Sequence, residues 1–156
     1  MSDLFNPELY VSDVSVYYGS KCAVQNVSFN IHPGQLTAII GNNGWGKIRA
    51  VMNLVKHSGK CMLGELHLES MSVRKRAGMI SYIPQRTGIS ISMTVREVCL
   101  LGFNPQLHML ESYNFNMRHR ADKAIDSVGL AGLYDTDFLT LSEGQKQLCI
   151  LARTLI

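Results

Sequence analysis

Seven consecutive residues, Gly41-Asn42-Asn43-Gly44-Trp45-Gly46-Lys47, have the composition and spacing of a loop that closes on phosphate. Glycines let successive backbone N–H groups point into one concavity, and a helix starting there aims the positive end of its dipole at the same place. The lysine would reach the β- and γ-phosphates of a nucleotide. A glycine-rich turn that binds nothing is the plain alternative, so the flanking elements decide.

Those flanks suit the first reading. Leu36-Thr37-Ala38-Ile39-Ile40 is a short apolar run rich in β-branched residues, the pattern of a strand buried on both faces of a parallel sheet. After the loop, Ala50, Val51, Leu54 and Val55 fall at helical spacing, and Gly59 is a stop signal. Upstream, Leu9, Val11, Val14 and Val16 predict a strand before a Tyr18-Gly19-Ser20 turn, and Ala23 to Ile31 a second one ending at Pro33-Gly34. Downstream, Gly64 to Ser70 alternates as a half-exposed strand, and Ala77 to Ile83 reads as another, ending at Pro84-Gln85.

From there the period lengthens to that of a helix. Thr94-Val95-Arg96-Glu97 has the capping-box pattern ahead of Val98, Cys99 and Leu101. Ala121, Ala124, Ile125 and Val128 mark a second helix that Gly129 closes. Ser142 to Ile156 predicts a third, with Leu148, Leu151, Ala152 and Leu155 on one face. Phe103 to Arg120 is the least regular stretch.

Composition bounds what such a chain does. The 156 residues are 46% hydrophobic and 17% charged, which excludes a disordered or low-complexity segment. A net charge of +3, with only Arg74, Lys75 and Arg76 clustered, is too mild to argue for nucleic acid. No apolar run approaches the roughly 20 residues of a membrane span, and the N-terminus has no leader pattern, so a soluble, intracellular chain without direct membrane insertion is expected. The cysteines, Cys22, Cys61, Cys99 and Cys149, form no CxxC pair. Reduced thiols are therefore expected, and the five histidines show no metal-ligand spacing.

With the loop as anchor, four motifs in order resemble the ATP-binding subunit of an ABC transporter. Tyr18 resembles the aromatic that stacks on adenine in that family. Gly41 to Lys47 resembles its Walker A loop, which implies that Asn42, Asn43, Gly44, Gly46, Lys47, Ile48 and Arg49 line the phosphates of ATP. Gln85 resembles the Q-loop glutamine, which touches Mg²⁺ or the attacking water and senses the membrane subunit. Leu141-Ser142-Glu143-Gly144-Gln145 resembles the LSGGQ signature, which implies that Ser142, Gly144 and Gln145 face a nucleotide held by an opposite subunit. Each alone has a plain reading: a strand-end aromatic, a loop glutamine, a capped helix start. Their joint order carries the resemblance from about Leu9 to Ile156. Thr94 to Leu107 is similar to members that energise uptake of iron chelates, haem or cobalamin.

The resemblance implies an α/β P-loop NTPase (RecA-like) core with N-terminal antiparallel strands over residues 1–92 and a helical subdomain with the signature helix over 93–156. It implies a cytoplasmic subunit, peripheral to the inner face of the membrane, that docks on a membrane permease and pairs head-to-tail with a second ATP-binding subunit. Three departures qualify this. Ile48 stands where the family carries a Ser or Thr whose hydroxyl ligates Mg²⁺, which weakens the metal site. Glu143 replaces the first glycine of the signature. The chain reaches Ile156 before the family's Walker B Asp, catalytic Glu and switch His, so it has no catalytic residue of that set. It reads as an incomplete ABC domain lacking the C-terminal part of the core. The expectations are thus an ATP-binding subunit in which hydrolysis is doubtful, or alternatively a non-catalytic nucleotide-binding or interaction fragment, or a truncated gene product. Either would be poorly stable or self-associating, because the strand at Leu36 to Ile40 lacks its neighbours.

Overall fold

The structure, a computed structural model, describes residues 7–40, 56–83, 88–108 and 110–156. The chain divides into two compact units, Met1–Arg76 and Ala77–Ile156.

The first unit is a four-stranded antiparallel sheet in the order β2-β1-β3-β4. Its strands are β1 (Leu9–Tyr18), β2 (Lys21–Ile31), β3 (Ser58–Leu63) and β4 (Leu66–His67). Valines at 11, 14 and 16 cannot all share one face of a regular strand, because the step from 11 to 14 is odd. The structure resolves this with a bulge: Asp13 adopts a φ of 52°, and both of β1's pairings shift register there. Val11, Val14 and Val16 are consequently all buried. Side chains hold the irregularity on both strands. The Asp13 N–H donates to Ser28 Oγ at 2.8 Å, and the Asn26 N–H donates to Ser15 Oγ at 2.8 Å, whose own hydroxyl donates to Asn26 Oδ1 at 3.0 Å. Ser15 is the one buried polar residue among those described, and these two bonds satisfy it. Gly59 lies where β3 crosses this bulge; a Cβ there would stand 2.5 Å from the carbonyl oxygens of Ser12 and Asp13.

A short helix, α1 (Val73–Ala77), follows the sheet. The second unit contains α2 (Val95–Leu100), α3 (Phe115–Ser127) and α4 (Glu143–Thr154). Each of these three starts on a side-chain cap. Thr94 and Ser142 form complete capping boxes with Glu97 and Gln145, and Asn114 Oδ1 accepts from the Met117 N–H. Such caps contribute about 1 kcal/mol each. The end of α3 is a Schellman motif: Gly129 at φ 79° donates to the Asp126 carbonyl, and Leu130 to that of Ile125. Phe103, Phe138, Ile125, Leu130, Val98 and Ile150 fill the core between the helices. Gly102 allows the closest approach, since a Cβ there would lie 2.4 Å from the Arg153 carbonyl oxygen. Arg96 ties the elements from outside, with Nε 2.8 Å from Asp122, Nη1 2.5 Å from Asp135, and its guanidinium over the Tyr134 ring.

Three expectations need correction. Leu36 to Ile40 forms no strand; Leu36 and Ile40 are almost fully exposed, at 102% and 93%. The run meets no partner strand among the described residues, and β propensity without pairing does not make a strand. Residues 77–83 are likewise not a strand: Ala77 ends α1, and residues 80–83 are irregular. The Gly64 to Ser70 strand is only Leu66–His67 long, because Leu68–Ser70 turns into a 3-10 helix that buries Leu68. On α4 the inward residues are Cys149, Ile150 and Ala152, whereas Leu148, Leu151 and Leu155 are partly exposed. The strand β3 is an addition to the expected elements; Ser-Gly-Lys-Cys-Met-Leu has little β propensity, and its glycine looks like a helix stop. The helix expected after Lys47 lies mostly outside the described residues.

Candidate functional site

The segment Leu141 to Gln145 is placed by the residues ahead of it. Asp137 opens a 3-10 helix, Phe138–Thr140, by accepting from the Leu139 N–H at 2.8 Å. Its other carboxylate oxygen accepts from Ser92 Oγ at 2.6 Å. These two donors hold the Asp137 carboxyl below its usual range, the Ser92 bond contributing most. The Phe138 N–H donates to the Met93 carbonyl, and the Val95 N–H to that of Thr136. The chain leading to α4 is thereby fastened to the start of α2, and Leu141 is buried.

At the helix start itself, Ser142 Oγ accepts from the Gln145 N–H at 3.3 Å, while Gln145 Oε1 accepts from the Ser142 N–H at 3.0 Å. Of the residues expected to face a nucleotide, Ser142 and Gln145 are thus brought together in a reciprocal pair. Glu143, which replaces the first glycine of the signature, sits 3.0 Å from Lys146 Nζ in an i,i+3 ion pair. That neighbour offsets part of its charge. Among the described residues, nothing lies within 4 Å of the position a Cβ of Gly144 would take. The lack of a side chain there meets no packing demand of the described residues.

Tyr18 ends β1, paired with Lys21 across the turn at Gly19, which adopts a φ of 61°. Tyr18 is half exposed, at 49%. Tyr18 belongs to the sheet unit, and Ser142, Gly144 and Gln145 to the helical unit. Asn42, Asn43, Gly44, Gly46, Lys47, Ile48, Arg49 and Gln85 lie outside the described residues.

The cysteines are all free; Cys61, Cys99 and Cys149 are buried. Cys99 and Cys149 place their sulfurs 3.9 Å apart between α2 and α4. The hydrogen bond they share and burial push the Cys99 thiol up. One constellation escapes sequence reasoning altogether: His57, Cys61 and Glu69 present ligand atoms all within 4.8 Å of one another. Their separations of four and eight residues match no metal motif, since a hairpin rather than a helix joins them.

No helix among the described residues is long and apolar enough to cross a membrane. A family model described as "ABC transporter" matches residues 24–156. The manganese transport system ATP-binding protein MntB of Halalkalibacterium halodurans is 29% identical over 96% of this chain and 60% of its own length. The hemin import ATP-binding protein HmuV of Mesorhizobium japonicum is 34% identical over 92% of this chain and 55% of its own. The chain therefore spans little more than half the length of these curated relatives. Among solved structures, a nucleotide-free ATP-binding cassette from an ABC transporter superposes with a TM-score of 0.79 at 26% identity, covering 96% of this chain and 64% of that one. A metal-chelate type ABC transporter in an inward-facing conformation gives 0.78 at 23% identity, covering 96% and 56%.

Proposed function

The chain belongs to the ABC transporter family, and from that premise we propose that it is the ATP-binding part of an import system, with a metal ion or metal chelate as the transported class. The relatives' names support that class, since they divide between manganese, zinc and hemin systems. Tyr18 stacks on adenine. The amides of Asn42, Asn43, Gly44 and Gly46, with Lys47 and Arg49, hold the phosphates. Ser142, Gly144 and Gln145 serve the nucleotide of a second ATP-binding subunit paired head-to-tail. Gln85 communicates with a membrane permease at the cytoplasmic face. The observation that carries this reading is the start of α4: a capped helix in which no described residue fills the space beside Gly144, where a ligand of the opposite subunit would approach.

Mg²⁺ does not fit the loop in the family's manner. The isoleucine side chain at 48 offers no oxygen, where the family's hydroxyl would ligate a hard cation that prefers oxygen donors. ATP binding here is then driven by backbone amides, Lys47 and stacking, with little gain from the metal. A second reading, a non-catalytic nucleotide-binding module, is favoured by this same residue, because phosphoryl transfer needs the metal across the β- and γ-oxygens.

The test is ATP affinity with and without Mg²⁺. Lys47→Ala should lower affinity at least about tenfold, and Ile48→Ser should create a Mg²⁺ enhancement that the parent chain lacks. Unchanged affinity in Lys47→Ala overturns the nucleotide reading. Strong Mg²⁺ enhancement in the parent overturns the account of Ile48. Gly144→Ala should leave the fold intact yet weaken ATP-dependent pairing.

A further inference from the structure

We propose that His57, Cys61 and Glu69 form a zinc site in the sheet unit. The three residues come together because of how β3 begins and ends. In a straight strand, residues 57 and 61 would be roughly 13 Å apart at about 3.3 Å per residue. Gly59, at a φ of 84°, bends the chain between them, and β1 shifts register opposite. At the other end Gly64, at a φ of 59°, reverses the chain into β4, and the 3-10 helix Leu68–Ser70 carries Glu69 back over β3.

The surroundings of the three residues orient their donor atoms. His57 Nδ1 lies 3.0 Å from the Ser58 carbonyl oxygen. A carbonyl only accepts, so Nδ1 carries the proton and Nε2 presents its lone pair. That Nε2 is buried and has no hydrogen-bond partner among the described residues. A backbone carbonyl fixing the tautomer of a ligating imidazole is a recurring arrangement in metal centres, and an unpartnered buried nitrogen is otherwise costly. Glu69 Oε1 accepts from the Cys61 N–H at 2.7 Å, which aims the carboxylate at the cysteine and leaves its second oxygen uncommitted. Cys61 is fully buried. Its thiol proton passes to solvent when the metal binds, leaving the thiolate as ligand.

The donor set selects the cation. One imidazole, one thiolate and one carboxylate combine nitrogen, sulfur and oxygen, which suits Zn²⁺ and not Mg²⁺ or Ca²⁺. The two negative ligands neutralise the charge of the dication. Tetrahedral zinc places its ligand atoms roughly 3.3–3.8 Å apart, so the observed spread of up to 4.8 Å closes by about an ångström on binding. Glu69 is exposed, which leaves the fourth position to water.

The probe is Zn²⁺ alone, titrated into the chain against a chromophoric chelator, with Co²⁺ as spectroscopic substitute. One equivalent should bind, and Co²⁺ should give a thiolate-to-metal charge-transfer band. His57→Ala and Glu69→Gln should each weaken binding at least about tenfold; the glutamine retains an acceptor for the Cys61 N–H, so the fold is preserved. Cys61→Ser should abolish the band, whereas Cys22→Ser should keep it. Absence of the band, or unchanged zinc affinity in His57→Ala with unchanged circular dichroism, overturns the proposal.

Discussion

In the helical unit, α2, α3 and α4 each begin on a cap supplied within three residues, and their apolar side chains meet in one core. The sheet unit is built differently. β2 shows mostly exposed residues along its length, and Leu36 and Ile40 stand in solvent. The contrast follows from the range of the interactions. A helix closes its hydrogen bonds locally, while a strand depends on partners distant in sequence. A run that meets no such partner keeps its apolar residues uncovered, whatever their propensity.

Core truncation gives the largest effect that discriminates between the units. Phe138 is fully buried, and Phe138→Ala should cost the helical unit about 3–5 kcal/mol. Hydrogen exchange should then accelerate throughout α2, α3 and α4 and leave β1–β3 amides as before; equal acceleration in both would break the comparison. Gly59→Ala is the mirror experiment. Strain at a φ of 84° and overlap with two backbone oxygens should cost roughly 2–4 kcal/mol, read as lost protection in the sheet.

Acid should act on the helical unit with a smaller effect. Hydrogen bonds from Thr94 hold the Glu97 carboxyl low, and those from Ser92 and Leu139 do so for Asp137. A depressed carboxylate stabilises the fold above its unfolded value, about 4.3 for Glu and 3.9 for Asp, and that contribution disappears as pH falls through the lower folded value. The thermal midpoint of this unit should therefore decline below about pH 4, and Glu97→Gln with Asp137→Asn should flatten that decline. The smallest effect belongs to Ile40→Ser, expected within about 0.5 kcal/mol of the parent because the side chain is already exposed. A clear loss would show that this run is buried.

The sequence discloses the helical unit well because its signals are short-ranged. Thr94 with Glu97, Ser142 with Gln145, and Gly129 after α3 are readable three residues at a time. The inward face of α4 is not, since Leu148 to Ile156 is apolar nearly all round and packing on α2, through Cys99 and Cys149, decides which residues turn in. In the sheet, the odd interval from Val11 to Val14 is the trace of the bulge, visible only once a period of two is known to fail. The signature segment is legible by resemblance, and the Glu143–Lys146 pair by i,i+3 spacing. The His57–Cys61–Glu69 cluster is not, because no spacing rule spans a bent strand and a reversal.

Asn26, at a φ of 46° within β2, has a consequence beyond the bulge it accompanies. β2 is an outer strand of the sheet, and outer strands invite copies of the chain to add on. The left-handed residue interrupts that rim between Lys21–Gln25 and Val27–Ile31. An incoming ribbon can lie along one half only, so any filament growing from this rim would have to begin on a template of five residues.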